Sequence, residues 1–293
     1  MVTNTLPQRS ALYVPASNQK ALANARRSSA DIVIVDLEDA VVPTAKADAR
    51  ANTVQLFAEG GFGHRQRALR VNSLSTPWGV ADLAAATGLA VDVILIPKVN
   101  GPTDIVAYDT AMASTPASLR IWAMIETCEA VLNLPAIAGA ARTSRLSGLV
   151  LGTNDLGKEM RARNTPDRAP LLPALAQTVV AARAYGLTVL DGVCNELDDL
   201  SVFRVECIQG RTFGCDGKTL IHPRQIDICN EIYSPQPDEI AWAEAVIEAF
   251  STPENAGKGA IKVAGQMVEM LHLEQAQRIR AAAQFLSRGR VRG

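Results

Sequence analysis

The feature that most constrains this chain is a repeat. A short apolar run is followed by a helix-favouring stretch, and the pair recurs eight times. The strand candidates are Ser10–Pro15, Asp31–Asp36, Ala68–Asn72, Val91–Val99, Arg120–Ile125, Leu146–Leu151, Leu187–Asp191 and Arg211–Cys215. Asp31–Asp36 is almost continuous in Ile and Val, the mark of a strand covered on both faces. Helix candidates alternate with them: Lys46–Glu59, Trp78–Thr87, Glu129–Ala141 despite Pro135, Leu171–Tyr185, Asp198–Gln209 and a closing Pro223–Tyr233. Such alternation predicts a parallel sheet. Eight units within roughly 220 residues fit a closed (β/α)8 TIM barrel better than an open sheet. The hydrophobic share of 48% supplies a large core, which 4% aromatics make aliphatic.

The barrel is expected over residues 1–236. The remainder, 237–293, reads as a helix over Asp238–Phe250, a flexible connector over Thr252–Gly265 and an amphipathic helix over Met267–Ser287. That tail is too short for a core of its own. It is expected to pack on the barrel or on a neighbouring subunit, as a helical lid extension.

Several function classes are disfavoured. A net charge of -1 gives no electrostatic reason to expect nucleic acid or an anionic membrane as partner. No apolar run is long enough to span a bilayer, and Met1–Ser10 lacks a signal core. The five cysteines form no CxxC pair, so reduced thiols in a cytoplasmic protein are expected. Neither a Gly-x-Gly-x-x-Gly after the first strand nor a lysine-bearing phosphate loop is present.

Polar residues at the carboxyl ends of barrel strands converge on one mouth, where catalysis takes place. Here they are Asp36, Glu38, Asp39, Arg70, Lys98, Glu126, Asp155, Asp191, Asp216 and Lys218. Acids crowded together repel unless a positive charge joins them. Oxygen donors without a His or Cys set favour Mg²⁺ or Mn²⁺ over zinc. Glu126 and Asp155 are the chosen ligands, against a reading as helix caps and salt bridges. Arg70 is the candidate anion clamp, since guanidinium grips two oxygens at once; a buried pair with Asp36 or Glu38 is compatible with that. Lys98 is a substrate-binding candidate, read as a strand-end salt bridge ahead of a Schiff-base nucleophile. His222 reads as structural or ligand-lining, and His64 and His272 stand in poor contexts for catalysis.

A resemblance runs from about residue 9 to 280. Tyr13-Val-Pro-Ala16, Asp36-Leu-Glu-Asp-Ala-Val41, Arg70-Val-Asn72, Ile96-Pro-Lys-Val99, Ile125-Glu126, Gly152-Thr-Asn-Asp155, Asp216-Gly-Lys218 and Ile221-His-Pro223 together resemble the citrate lyase β-subunit family. Malyl-CoA and citramalyl-CoA lyases are among its members, within the wider HpcH/HpaI aldolase superfamily. The resemblance implies a (β/α)8 barrel, Mg²⁺ dependence, an acyl-CoA substrate and a homo-oligomer, trimeric or hexameric. By position, Glu126 and Asp155 match the metal ligands and Arg70 the substrate clamp. Asp36, Glu38 and Asp39 match the acidic cluster behind them, and Ile221–Pro223 a stretch near bound CoA. Gly265-Gln-Met-Val-Glu-Met270 is similar to the lid motif whose acid reaches a neighbour's active site. Glu269 stands there in place of the usual Asp, which carries its carboxyl about 1 Å farther. Asn100 is a second departure, replacing a frequent Glu.

The expected activity is Mg²⁺-dependent carbon–carbon cleavage of a carboxylate-bearing 3-hydroxyacyl-CoA to acetyl-CoA and a 2-oxoacid. Arg70, Glu269, Asp36 and Glu38 are its catalytic candidates. The alternatives are a thioesterase on the same acyl-CoA, or a citrate lyase β subunit working on an acyl carrier protein. A CoA-independent aldolase and an acyl-CoA sensor are further rivals.

Overall fold

The computed structural model describes residues 7–290. In chain order the first elements are β1 (Ser10–Pro15), α1 (Gln19–Ala25), β2 (Ile32–Asp36), α2 (Lys46–Glu59), β3 (Gln66–Arg70), α3 (Gly79–Ala86), β4 (Val93–Ile96) and α4 (Pro102–Ala111). Then come β5 (Arg120–Ile125), α5 (Cys128–Leu132), α6 (Leu134–Gly139), β6 (Leu146–Leu151), α7 (Thr153–Glu159), α8 (Leu172–Ala184), β7 (Thr188–Asp191), α9 (Leu200–Phe213), β8 (Gly217–Leu220) and α10 (Ile226–Tyr233). All eight strands are parallel and close on themselves, β1 pairing with both β2 and β8. The fold is a (β/α)8 barrel, as the repeat predicts.

Strand periodicity divides the core in two. Ala11, Ile32, Ile34, Ala68, Val93, Leu95, Trp122, Met124, Val150 and Leu190 form one cluster inside the barrel. Their neighbours, such as Val33, Val35, Leu69, Ile94, Ile121 and Val189, face the helices and pack with them in a larger cluster. Alternate residues of a strand point to opposite faces, so parity decides whether a strand-end side chain enters the mouth or the outer layer.

Two expected elements differ. The eighth strand is not Arg211–Cys215 but Gly217–Leu220. The preceding helix runs on to Phe213 and ends where Gly214 takes a left-handed φ of 98°. Such a turn is open to glycine at little steric cost. The helix expected over Glu129–Ala141 is split into α5 and α6, with Pro135 in the first turn of the second.

Residues from Ser234 onward form a separate compact unit. It holds α11 (Pro237–Ser251), β9 (Ala260–Val263), β10 (Gln266–Glu269) and α12 (Met270–Arg290). The expected connector is in part a hairpin: β9 and β10 pair antiparallel around Ala264 and Gly265, both at positive φ. A two-residue turn with both positions left-handed matches strand twist. Contrary to expectation, the segment has an apolar cluster of its own, built from Ala243, Val246, Ile261, Val268 and Ala276. Among the described residues, no helix is long and apolar enough to cross a membrane.

Candidate active site

Counting by twos from the interior layer gives the floor of the mouth. Ile32 and Ile34 lead to Asp36, Ala68 to Arg70, Trp122 and Met124 to Glu126, and Val150 to Gly152. Asp36, Arg70, Met124, Glu126 and Gly152, with Tyr13, Thr219 and Asp155 from the first turn of α7, line a cavity of about 320 Å³. Asp39, Thr153 and Asn154 complete its rim.

Arg70 is held rather than loose. Its Nε and Nη2 donate to the two oxygens of Asp36 at 2.7 and 2.6 Å, and Nη1 lies 3.1 Å from Glu38 Oε2. Tyr13 covers the guanidinium face, 4.8 Å from ring centroid to Cζ. Asp36 also accepts the backbone N–H groups of Glu38 and Ala40 at 2.9 and 3.2 Å. Both of its oxygens are therefore engaged, and its geometry suits positioning Arg70 rather than shuttling a proton. Burial acts to lower the Arg70 pKa, but the Asp36 carboxylate outweighs it and holds the group well above the ordinary arginine value. Nη1 also donates to Met124 Sδ at 3.7 Å, and the arginine, charged at any working pH, borders the cavity.

Glu38 titrates near neutrality. Burial pushes its carboxyl up to about 7, Arg70 opposes this, and the Asp39 and Glu126 charges add to it. The sign of the effect on stability follows from proton counting. Below the ordinary value of 4.5 both folded and unfolded chains carry the proton. Between there and about 7 only the folded chain keeps it, so stability falls as pH rises through that window. The swing is at most about 3 kcal/mol. Urea denaturation of the metal-free protein at pH 5 and pH 8 checks this: Glu38→Gln should gain at least ~1 kcal/mol on wild type between the two. An unchanged difference would refute the assignment.

Glu126 and Asp155 are brought to one cation. Lys98 Nζ bonds Asp155 Oδ2 and lies 3.5 Å from Glu126 Oε1, while the Lys98 backbone N–H donates to the same Glu126 oxygen at 2.7 Å. Glu126 is 1% exposed and Asp155 34%. Gly152 makes the arrangement possible, since a Cβ there would sit 2.6 Å from Glu126 Oε2. Any side chain at residue 152 would displace the carboxylate. Asn100 accepts a 2.6 Å bond from Thr127 Oγ1, which fixes the turn just after Glu126. Two carboxylates already sharing a cation, with no His or Cys beside them, form a donor set suited to a hard divalent ion. Among the described residues no group of three or more His, Cys, Asp or Glu converges, so such an ion would fill its shell with water and ligand oxygens.

Three expected mouth residues lie elsewhere. Asp191 and Lys218 have the other parity: Leu190 and Thr219 point inward, and their neighbours face the helices. Lys218 Nζ donates to Asp191 Oδ2 at 2.8 Å and lies 3.0 Å from Glu206 Oε2, and Arg168 Nη1 spans both Asp191 oxygens at 3.0 Å. Asp216 precedes β8, at the barrel's opposite end, where it pairs with Arg183 at 2.8 Å. Glu269 belongs to the C-terminal unit, exposed at the end of β10, its N–H donated to His272 Nδ1 at 2.9 Å. His222 caps a turn, its Nδ1 accepting from Arg224 N at 3.1 Å.

Residues 9–223 match the family model described as HpcH/HpaI aldolase/citrate lyase. The chain belongs to this family. It is 44% identical to a (3S)-malyl-CoA thioesterase of Cereibacter sphaeroides over 281 residues, 96% of each chain. It is 30% identical to the citrate lyase subunit beta of Escherichia coli strain K12, over 96% of this chain and 95% of that one. A solved structure of CitE from Mycobacterium tuberculosis in complex with magnesium, acetoacetate and coenzyme A superposes with a TM-score of 0.77 at 26% identity, covering 96% of this chain and 100% of that one.

Within this member of the HpcH/HpaI family, several site residues carry no strand-end signature. Met124 and Thr219 line the cavity because of register, which a single sequence does not print. Lys46, on α2, reaches back to the carbonyls of Leu37 and Glu38 at 2.7 and 2.8 Å and to Asn72 Oδ1 at 2.7 Å. It pins the loop that carries the acidic cluster. A lysine in the first turn of a helix, where cations are disfavoured by the dipole, is the one hint the sequence offers.

Proposed function

We propose that the chain is a Mg²⁺-dependent enzyme acting on a malyl-CoA-type thioester, a 3-hydroxyacyl-CoA with a free carboxylate, and that it hydrolyses the thioester. The observation that carries the site is the Glu126–Asp155 pair sharing one cation beside a buried, permanently charged arginine. The substrate class and the choice of hydrolysis rest on the 44% identity, over 96% of both chains, with a (3S)-malyl-CoA thioesterase. The magnesium and coenzyme A in the mycobacterial relative support the cofactor and the CoA moiety.

Glu126 and Asp155 would hold the ion. Magnesium, when bound, supplies Lewis-acid polarisation of substrate oxygens. Arg70, fixed by Asp36 and Glu38, presents its guanidinium charge to the substrate carboxylate or to a developing oxyanion, worth a few kcal/mol per hydrogen bond it donates there. Glu269 is assigned the lid acid, supplied by a neighbouring copy in a trimer or hexamer. Its extra methylene moves the carboxyl about 1 Å, which disturbs protonation of a fixed carbon more than activation of a mobile water. That difference favours hydrolysis over cleavage.

Carbon–carbon cleavage is the second reading, favoured by the 30% identity with a citrate lyase subunit. Incubation with malyl-CoA and Mg²⁺, followed by mass detection of products, separates the two. Malate and free CoA are expected. Acetyl-CoA and glyoxylate would overturn hydrolysis in favour of lyase chemistry. An unchanged substrate would overturn the substrate class.

A further inference from the structure

We propose that Lys98 is a tethered counter-ion of the metal site: its ammonium holds the place between Glu126 and Asp155 that a divalent cation takes, and the cation must displace it. The inference rests on reading those two acids as the metal ligands.

Lys98 follows β4 with φ of 52°, one of four non-glycine residues at positive φ among the described residues. That conformation is strained for a lysine, and such outliers persist where the surroundings demand them. What it achieves here is specific. One residue turns both its amide and its ammonium onto the acid pair: N–H to Glu126 Oε1 at 2.7 Å, Nζ to Asp155 Oδ2, with Nζ 3.5 Å from the same Glu126 oxygen. The Lys98 charge is thus directed at the two carboxylates.

A Mg²⁺ ion needs its oxygens at about 2.0–2.1 Å. It cannot share those oxygens with an ammonium lodged between them. The lysine side chain is 37% exposed, which lets the ammonium swing out without moving the backbone. The Lys98 N–H stays on Glu126 in either state and keeps that ligand aimed. The device therefore holds two like charges in register before the ion arrives. It also selects by charge, because a free Na⁺ or K⁺ gains nothing over an ammonium already attached, whereas a divalent ion does.

Binding of Mn²⁺, followed by the electron paramagnetic resonance of the free ion, tests this without reference to turnover. Wild type, Lys98→Met, Lys98→Arg, Glu126→Gln and Asp155→Asn are compared. Lys98→Met should bind Mn²⁺ about ten-fold tighter than wild type. Lys98→Arg should keep the weaker wild-type affinity, and both acid variants should lose binding. If Lys98→Met binds no tighter while the acid variants lose the ion, the counter-ion role is refuted and the metal site stands. If the acid variants bind as wild type does, the site assignment itself falls, and this inference with it. Should Lys98→Met not purify folded, Lys98→Gln makes the same comparison.

Discussion

Glu126→Gln lowers Mg²⁺-dependent turnover of a malyl-CoA-type thioester by on the order of 10²–10³-fold or more, with the barrel still folded. The amide is nearly isosteric with the carboxylate and can still accept the Lys98 backbone N–H that Glu126 now takes at 2.7 Å. What it removes is one of the two negative charges proposed to hold the ion. Losing half of a two-carboxylate set leaves a binding site that water and substrate cannot repair, because neither is anchored to the protein. Asp155→Asn should behave alike. A denaturation profile unchanged from wild type, beside lost turnover, marks the effect as chemical. Wild-type rates in either variant would refute the ligand assignment.

Lys218→Met destabilises the protein by about 3–5 kcal/mol, the cost of breaking a buried ion pair from one side. Lys218 and Asp191 are both fully buried, and with Arg168 and Glu206 they form a group of two positive and two negative charges. Removing the ammonium leaves that group with a net negative charge away from water. Burial raises the Asp191 pKa, but Lys218 and Arg168 outweigh it and hold the group below the ordinary value, so removing Lys218 takes away the largest single influence that keeps the buried carboxylate charged. At about 2–4 °C per kcal/mol for a domain of this size, the melting temperature should fall by roughly 10 °C. Adding Asp191→Asn should recover part of the loss, because the removed charges compensate. A single variant within ~1 kcal/mol of wild type would contradict the account.

The same charge group shows where a sequence stops being legible. Asp36, Glu126 and Asp191 all end apolar strands and look alike on the page. Asp36 and Glu126 share parity with inward residues and reach the mouth. Asp191 follows the inward Leu190 and turns to the helices. Parity in a short strand depends on register against its neighbours, and register is a property of the closed sheet. The eighth strand was displaced for a related reason: Arg211–Phe213 is as consistent with a helix end as with a strand, and Gly214 decides it by its backbone freedom. The hairpin at Ala260–Glu269 was hidden by glycines that read as a connector.

The repeat itself was legible, because eight buried strands leave few alternatives to a barrel. So were the acid pair and Arg70, through strand-end position and family motif. The Lys98 bridge was legible only in part. Its salt bridge could be expected from Ile-Pro-Lys, but a left-handed lysine that serves two acids with two of its own groups depends on a conformation that sequence does not specify.

A crystal of the wild-type protein grown with Mn²⁺ and measured near the manganese absorption edge tests the central claim most directly. The account predicts one anomalous peak at coordination distance from both Glu126 and Asp155, with the Lys98 ammonium moved off the pair and its backbone N–H still on Glu126. A peak elsewhere, or none at saturating Mn²⁺ with the lysine unmoved, would contradict it.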